Sequence, residues 1–360
     1  MRAFLLAALC LSFSQSCAKP QYLERADAFA AGNFNGVVLI GKGRDPEYFE
    51  ARGVADLSSG AALSPTTIFR TGSVSKLLVS ALAFQMAQEG VVDLDAPIAN
   101  YLPDYPGEGA AITLAHLLSH ASGLENDIIK AAREDPSIAS ANLTTREAAA
   151  LYASSPLKFT PGAEFDYVHS NWILVKAVLE AAGGESLETL LSDRVFAPLA
   201  MTSSGVFSGN LEMPGAASAY ETRDANAYAR PTPTFMAAAA GVYSNAPDLM
   251  RFMHALDERD LFADDLADRF ETVVFPGESY AYGGRIIEMH LDGENRRISW
   301  QSGSDGPYKI RMARVLDDGW TVIVLENINA DPRAASDFAK AILHDIYRTE
   351  PRKQQAEAIQ

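Results

Sequence analysis

The chain has β-strand patterns at both of its ends and helical patterns between them, and this distribution restricts the folds that it can adopt. Near the amino terminus, residues 36–42 and 48–54 are predicted strands, joined by a turn at Gly43-Arg44-Asp45-Pro46. A two-stranded hairpin is only marginally stable by itself in water. Four further strands are predicted after residue 280, at Tyr282–His290, Arg296–Trp300, Tyr308–Val315 and Trp320–Glu326.

The region between these strands, about residues 91–270, is predicted to be mostly helical. The simplest fold that satisfies both patterns is α/β (α+β): one antiparallel sheet from both chain ends, flanked by helices, with a helix-rich region inserted. We expect one domain over residues 19–350, with sheet parts at about 22–90 and 275–350, and a polar tail at 351–360. Helices are predicted at 22–31, 74–89, 114–119, 145–153, 171–182, 187–196, 247–256 and 334–347.

Composition narrows the classes of function. The 360 residues are 48% hydrophobic and 21% charged, which is typical of a globular protein with a sizeable core. The formal net charge is −16, and a surface of this sign repels nucleic acid. No apolar run is long enough to cross a bilayer. We therefore expect neither a nucleic-acid partner nor a transmembrane segment, and the sequence carries no signal for an oligomeric state.

The first 18 residues have the features of a secretory signal peptide. The start is basic, residues 3–11 are apolar, and Ser16-Cys17-Ala18 has the small-x-small form of a cleavage site. Cleavage after this triplet leaves a mature chain without cysteine, because Cys10 and Cys17 are the only two. We therefore expect an exported protein, periplasmic or secreted, and lipid attachment at Cys17 is the alternative to cleavage.

A Ser-x-x-Lys motif occurs three times, beginning at Ser16, Ser73 and Ser155, and the local context separates the three copies. Ser16 lies in the predicted export signal, and prolines close to Ser155 remove the helix that would organise its motif. Ser73 opens a long apolar helix. Residues three apart share one face of a helix, so the amine of Lys76 can approach the hydroxyl of Ser73.

The chemistry of this pair depends on the protonation state of Lys76. A serine hydroxyl becomes a good nucleophile when a base removes its proton, but an ordinary lysine, with a pKa of about 10.4, is charged at neutral pH. Apolar neighbours and the positive end of a helix both disfavour that charge, and Phe69, Val74 and Leu77 supply such neighbours. The sequence predicts a strongly lowered pKa for Lys76. The alternative is that Ser73 only caps the helix and Lys76 is solvated.

The segment from Ile68 to Lys76 resembles the active-site segment of the serine β-lactamase and penicillin-binding-protein family, which includes class C β-lactamases, D,D-peptidases and esterases. The resemblance continues through residues 90–103, 112–124 and 239–252, and it covers about residues 25–330 in the family's order. It implies the family's fold and a covalent acyl-enzyme on Ser73, formed from a β-lactam, a peptide or a carboxylic ester. That chemistry needs neither a metal nor a cofactor.

The resemblance also implies roles for two further segments. Residues 161–169 align with the family's Tyr-x-Asn element, which makes Tyr167 the catalytic tyrosine and places His169 where the family has asparagine. Trp300–Ser304 stands where the family has Lys-Thr-Gly or His-x-Gly. The backbone amides of Ser73 and Ser304 then form the oxyanion hole, and the expected substrate-binding residues are His169, Gln301, Ser302 and Gly303.

Two of these residues depart from the family's pattern. Gln301 is neutral, so it cannot pair with a substrate carboxylate as a cation would, and the imidazole of His169 does not offer a donor and an acceptor as an amide does. Lys309 or Arg311 could replace the missing cation, or both are solvated strand residues.

We therefore predict a serine hydrolase for an ester or amide, with a small-molecule or peptide substrate. A β-lactamase or D,D-carboxypeptidase proper is the first alternative, and a non-catalytic binding protein is the second.

His116 and His120 are spaced as two metal ligands on one helix face would be. Leu117 stands where a zinc protease with this spacing has its glutamate, so we expect structural roles for both histidines and predict no metal site.

Overall fold

The computed structural model describes residues 19–207, 213, 215–328 and 331–357, so the predicted export signal lies outside the described residues. The strands are β1 (Gly36–Lys42), β2 (Asp45–Arg52), β3 (Val54–Asp56), β4 (Ala61–Ala62), β5 (Phe69–Arg70), β6 (Gly205–Val206), β7 (Val242–Ser244), β8 (Arg285–Leu291), β9 (Glu294–Asp305), β10 (Tyr308–Val315) and β11 (Trp320–Glu326). The α-helices are α1 (Gln21–Ala31), α2 (Ser75–Gln88), α3 (Leu114–Leu118), α4 (Asp127–Glu134), α5 (Thr145–Tyr152), α6 (Ser170–Gly183), α7 (Leu187–Leu191), α8 (Ala237–Ala240), α9 (Ala246–Asp257), α10 (Asp264–Phe270) and α11 (Pro332–Glu357).

A six-stranded antiparallel sheet joins the two ends of the chain, in the order β2-β1-β11-β10-β9-β8. The junction is the pairing of β1 with β11, in which Gly36 lies opposite Glu326 and Lys42 lies opposite Trp320. The prediction of a single antiparallel sheet from both chain ends, with helices inserted between, is confirmed.

The two faces of this sheet are covered by different helices, because successive side chains of a strand point to opposite sides. Val38 on β1 and Val324 on β11 pack with the amphipathic helices α1 and α11. Their neighbours Val37 and Leu325 face the helix-rich region and share its core with α2 and α6. Both of these inner helices are almost entirely buried, which explains why their sequences are apolar on every face.

A second, three-stranded sheet leads the chain into the site. It has the order β5-β7-β6, and Phe69 of β5 pairs with Ser244 of β7. Directly after β5, the single 3₁₀ turn Gly72–Val74 changes the direction of the chain and α2 begins at Ser75. Ser73 therefore lies at the boundary between the large sheet and the helical region.

The strand predicted at Arg296–Trp300 is longer in the structure, where β9 runs from Glu294 to Asp305, and β8 begins at Arg285 instead of Tyr282. Further differences concern short or terminal helices. The helices α4, α8 and α10 were not predicted, and each has at most eight residues, too few for a clear periodicity. α11 continues to Glu357, through most of the predicted tail. Within the described residues, no helix combines the length and the apolarity needed to cross a bilayer.

Candidate active site

Lys76 lies beside Ser73 in the first turn of α2. The Nζ atom of Lys76 is 3.1 Å from Ser73 Oγ and donates to the carbonyl oxygen of Ala239 at 2.7 Å. Lys76 is only 1% exposed, and burial lowers the pKa of its amine. Among the described residues no carboxylate forms an ion pair with it. No nearby negative charge therefore offsets the cost of burying the ammonium, and the neutral form of the amine is favoured.

Tyr167 approaches Ser73 from the other side, on the loop that precedes α6. Its Oη atom donates to Ser73 Oγ at 3.2 Å. Burial opposes ionisation of the phenol, but the positive charge of Lys76 in its protonated form and hydrogen bonds with Ser73 and Lys76 outweigh it, so the pKa of Tyr167 is lowered. The serine hydroxyl thus contacts two groups that can exchange its proton.

His120 holds the ring of Tyr167 in place. The two rings stack with their centroids 4.3 Å apart, and Nδ1 of His120 accepts a hydrogen bond at 3.0 Å from the backbone N–H of Val168. Burial keeps the pKa of His120 well below its usual value, and a protonated Lys76 would lower it further, so the imidazole is neutral. His116 instead caps α3, where it accepts from the backbone N–H of Thr113 at 3.2 Å.

Close backbone packing brings the Ser73 segment against β9. Gly72 has a φ of +54°, and a Cβ atom there would lie 2.6–2.7 Å from backbone atoms of Ser304. A Cβ on Gly303 would overlap the carbonyl oxygen of Thr71. The N–H of Ser73 donates to no described acceptor, as expected for the first turn of a helix. The backbone of the Ser73 segment therefore lies directly against that of Ser304.

The cleft in front of Ser73 has a volume of about 490 Å³ and is rich in charged side chains. Its lining residues are Ser73, Tyr167, Arg285, Ser302, Gly303, Ser304, Lys309, Ile310, Arg311, Glu326 and Ala335. Five of the predicted site residues, Ser73, Tyr167, Ser302, Gly303 and Ser304, are among them, and Lys76 lies directly behind Ser73.

The other two predicted residues lie differently. The side chain of Gln301 points into the interior, where Nε2 donates to Ser299 Oγ at 3.0 Å, and it does not line the cleft. The alternation along β9 explains this, because Ser302 and Ser304 occupy the opposite face. The ring of His169 meets the edge of Tyr167 with centroids 5.5 Å apart. Burial and the charge of Lys76 lower the pKa of His169 to about 4, so it is neutral.

The sequence reasoning missed two charged residues of the cleft, Arg285 and Glu326. Arg285 begins β8 and lies close enough to lower the pKa of Tyr167. Glu326 ends β11, on the face covered by α1 and α11. The charged residues of β10 could be recognised in the sequence from their alternation with apolar ones. The positions of Arg285 and Glu326 in the cleft depend instead on pairing between distant strands.

The comparisons with known proteins identify the family of the chain. The family model described as Beta-lactamase matches residues 24–345, and the chain belongs to that family. Among its relatives, the chain is 25% identical to the putative penicillin-binding protein PbpX of Bacillus subtilis (strain 168), over 69% of this chain and 61% of that protein. It is 29% identical to the esterase EstB of Burkholderia gladioli, over 49% of this chain and 48% of that protein. These matches thus span about half to three-fifths of the two relatives.

A solved structure shows the same fold. The penicillin-binding protein from Bacillus halodurans superposes with a TM-score of 0.76 at 22% identity, covering 90% of this chain and 99% of that one. The predicted family and fold class are therefore confirmed. The names of the relatives, an esterase and a penicillin-binding protein, agree with the prediction of a serine hydrolase that forms an acyl-enzyme.

Proposed function

We propose that the protein is a serine hydrolase that cleaves carboxylic esters and amides through an acyl-enzyme on Ser73. One observation carries this proposal: Ser73 Oγ lies 3.1 Å from the buried amine of Lys76 and 3.2 Å from the hydroxyl of Tyr167. A nucleophile, a base with a lowered pKa and a proton carrier thus meet at one wall of an open cleft.

In the acylation step, neutral Lys76 is the base. Its amine has two hydrogens and one lone pair, and the carbonyl oxygen of Ala239 accepts one of the hydrogens at 2.7 Å. The lone pair is then free to take the hydroxyl proton of Ser73 as Oγ attacks the substrate carbonyl carbon. The carbonyl π electrons move to the oxygen, and the N–H groups of Ser73 and Ser304 stabilise the resulting oxyanion.

Tyr167 carries the proton to the leaving group. Collapse of the tetrahedral intermediate expels an alkoxide or amine, which takes the phenol proton of Tyr167, and the ammonium of Lys76 restores that proton. Water then attacks the acyl-enzyme, gives up a proton to the same pair and releases the acid, while Ser73 regains its hydrogen. The balance is one water consumed, one acid formed and one alcohol or amine released.

An initial-rate assay with p-nitrophenyl acetate, p-nitrophenyl butyrate and a D-amino-acid p-nitroanilide tests this function. We expect Ser73-dependent release of p-nitrophenol from the esters and of p-nitroaniline from the anilide, with Ser73→Ala reducing kcat/KM at least about 10³-fold. The matched control is Ser155→Ala, which alters the other described Ser-x-x-Lys copy. Equal activity in Ser73→Ala and Ser155→Ala would refute the proposal.

Arg311 favours a second candidate function, the binding or hydrolysis of β-lactams. Its guanidinium lines the cleft, stacks on Trp300 with a centroid distance of 5.0 Å and forms no ion pair with a described carboxylate. Burial lowers the pKa of Arg311 to about 10, so it remains a cation at neutral pH and can attract the carboxylate of a penicillin. A fluorescent penicillin that labels the wild type at Ser73 but not Arg311→Gln would support this candidate, and absence of wild-type labelling would exclude it.

We also infer that the chain is exported and that residues 1–18 are removed. The basic start, the apolar run at residues 3–11 and the small-x-small triplet Ser16-Cys17-Ala18 support this inference. Intact-mass analysis after expression in a Gram-negative host provides the test. A mature protein beginning at Lys19 supports cleavage, a diacylglyceryl mass increment on Cys17 supports the lipid-anchored alternative, and an uncleaved cytoplasmic chain overturns both.

A further inference from the structure

The cleft extends away from Ser73, across the face of the large sheet that α1 and α11 cover. Ser304 of β9 lies opposite Lys309 of β10, and Lys309 lies opposite Glu326 of β11. These three residues therefore form one row across three adjacent strands. Neighbouring strands are separated by about 4.8 Å, so Glu326 lies roughly 10 Å from the strand that carries Ser304.

Glu326 is a buried carboxylate that has no partner in the part of the chain that the structure describes. It is 4% exposed, and among the described residues no hydrogen bond or ion pair to its carboxylate is formed. Burial raises its pKa to about 7, although the charge of Lys309 opposes this shift. An isolated buried carboxylate is unfavourable in a folded protein. A ligand that carries a positive charge would supply the missing interaction.

Two cations of β10, Lys309 and Arg311, neighbour Glu326, and the hydrogen bonds of both side chains go to other groups. Nζ of Lys309 donates to Ser304 Oγ at 2.8 Å and to the carbonyl oxygen of Gly306 at 2.7 Å, and it forms no ion pair with Glu326. The diagonal neighbour on β10 is Arg311. On the other sides lie the uncharged Gly36 of β1 and Ala335 of α11.

Glu326 also borders a second cavity, of about 660 Å³, between the end of α1 and the start of α11. The charged residues of its wall are Glu221, Arg223, Glu326 and Asp331. Asp331 already pairs with Arg333, and the apolar rings of Phe29 and Phe34 line the same cavity. The region beyond Glu326 thus suits an organic cation with an apolar body.

We propose that Glu326 binds the ammonium group of a substrate whose arm crosses the sheet from Ser73, so that the enzyme prefers ω-amino acyl substrates to neutral ones. This inference rests on the proposed function, because it takes Ser73 as the point of attack. The arm has to cross the roughly 10 Å between β9 and β11, which corresponds to about three residues of extended peptide or an alkyl chain of similar length. Glu326 acts on specificity and takes no part in the proton transfers at Ser73.

The test compares two esters of equal length. p-Nitrophenyl 8-aminooctanoate carries an ammonium where p-nitrophenyl nonanoate carries a methyl group. We expect the wild type to prefer the amino ester by at least about tenfold in kcat/KM, and we expect Glu326→Gln to bring this ratio close to one. The preference should also grow between pH 6 and pH 8, as Glu326 ionises. p-Nitrophenyl 4-aminobutanoate, which is too short to reach Glu326, should gain nothing over its methyl analogue.

The control variant is Glu288→Gln, which removes an exposed carboxylate of β8 and should keep the wild-type ratio. A wild-type ratio near one at every pH, or a preference that persists in Glu326→Gln, would overturn the inference while leaving the proposed function intact. Failure of the wild type to hydrolyse any of the esters by way of Ser73 would overturn the proposed function itself.

Discussion

Arg70 and Asp305 form an ion pair that connects the segment leading into Ser73 with the strand that carries Ser304. The Nε atom of Arg70 is 2.7 Å from Oδ2 of Asp305, and both side chains are largely buried. The two atoms are not aligned for a hydrogen bond, so the attraction is chiefly Coulombic. Arg70 also donates to Thr232 Oγ1 at 2.8 Å. The pair therefore holds together the two backbone segments of the proposed oxyanion hole.

Removal of Arg70 should damage both stability and catalysis. Arg70→Gln leaves Asp305 buried without its cation, and the loss of one partner of a buried pair typically destabilises by about 3 kcal/mol. We expect urea denaturation to show this loss, together with a fall in kcat of about tenfold or more. The control is Arg333→Gln, in the exposed pair with Asp331, which should change stability by less than about 1 kcal/mol. Equal effects of the two substitutions would contradict the role of the Arg70–Asp305 pair.

The pH dependence of kcat/KM should report the protonation states of Lys76 and Tyr167. Acylation needs Lys76 neutral, so the rate should fall as pH drops below the lowered pKa of its amine. It also needs the phenol of Tyr167 protonated, so the rate should fall again at high pH. A pH–rate profile of p-nitrophenyl butyrate hydrolysis measures both limbs. The guanidinium introduced by Lys76→Arg cannot lose its proton near neutral pH, so kcat/KM of this variant should fall at least about 10³-fold. Retention of most of the activity would contradict the assignment of Lys76 as the base.

The hydroxyl of Tyr167 should contribute to kcat separately from the packing of its ring. Tyr167→Phe preserves the stack on His120 but removes the proton carrier, so we expect kcat to fall about 10²- to 10³-fold with little change in stability. The high-pH limb should disappear with the phenol. Tyr152→Phe, which deletes the hydroxyl of a tyrosine packed against Phe235 away from the cleft, is the control and should have wild-type kinetics. An unchanged kcat in Tyr167→Phe would remove this residue from the mechanism.

Glu326 should make the protein less stable as pH rises. Between the ordinary glutamate pKa of 4.5 and its folded value of about 7, the unfolded chain ionises Glu326 while the folded protein keeps it protonated. The free energy of unfolding therefore falls across this interval and levels off above it. At about 1.4 kcal/mol per pKa unit, Glu326→Gln should be more stable than the wild type by up to about 3 kcal/mol at pH 8. The difference should vanish near pH 4, and urea titrations at both pH values measure it.

Local patterns in the sequence identified most of the fold and the centre of the site. The strands at 36–42, 308–315 and 320–326 agree with the structure residue for residue, because turn signals such as Asp317-Asp318-Gly319 lie next to them. Lys76 could be predicted beside Ser73 because a helix fixes the geometry of residues three apart.

The outer part of the cleft could not be predicted in the same way. Glu326 lies in line with Ser304 only because β9, β10 and β11 pair in one particular register, and register depends on the packing of whole strands. Gln301 was expected to bind substrate from its place in the motif. Its side chain faces the interior, and the face of the sheet that each residue of β9 occupies becomes certain only once its pairing with β10 is known.

The most direct test of the central claim is intact-mass analysis after reaction with a fluorophosphonate probe, followed by peptide mapping. We expect a single adduct on Ser73 in the wild type, labelling that slows at acidic pH as Lys76 becomes protonated, and no adduct in Ser73→Ala. An adduct on another residue, or ester hydrolysis that continues in a Ser73→Ala protein shown to be folded, would contradict a mechanism in which the amine of Lys76 activates this hydroxyl.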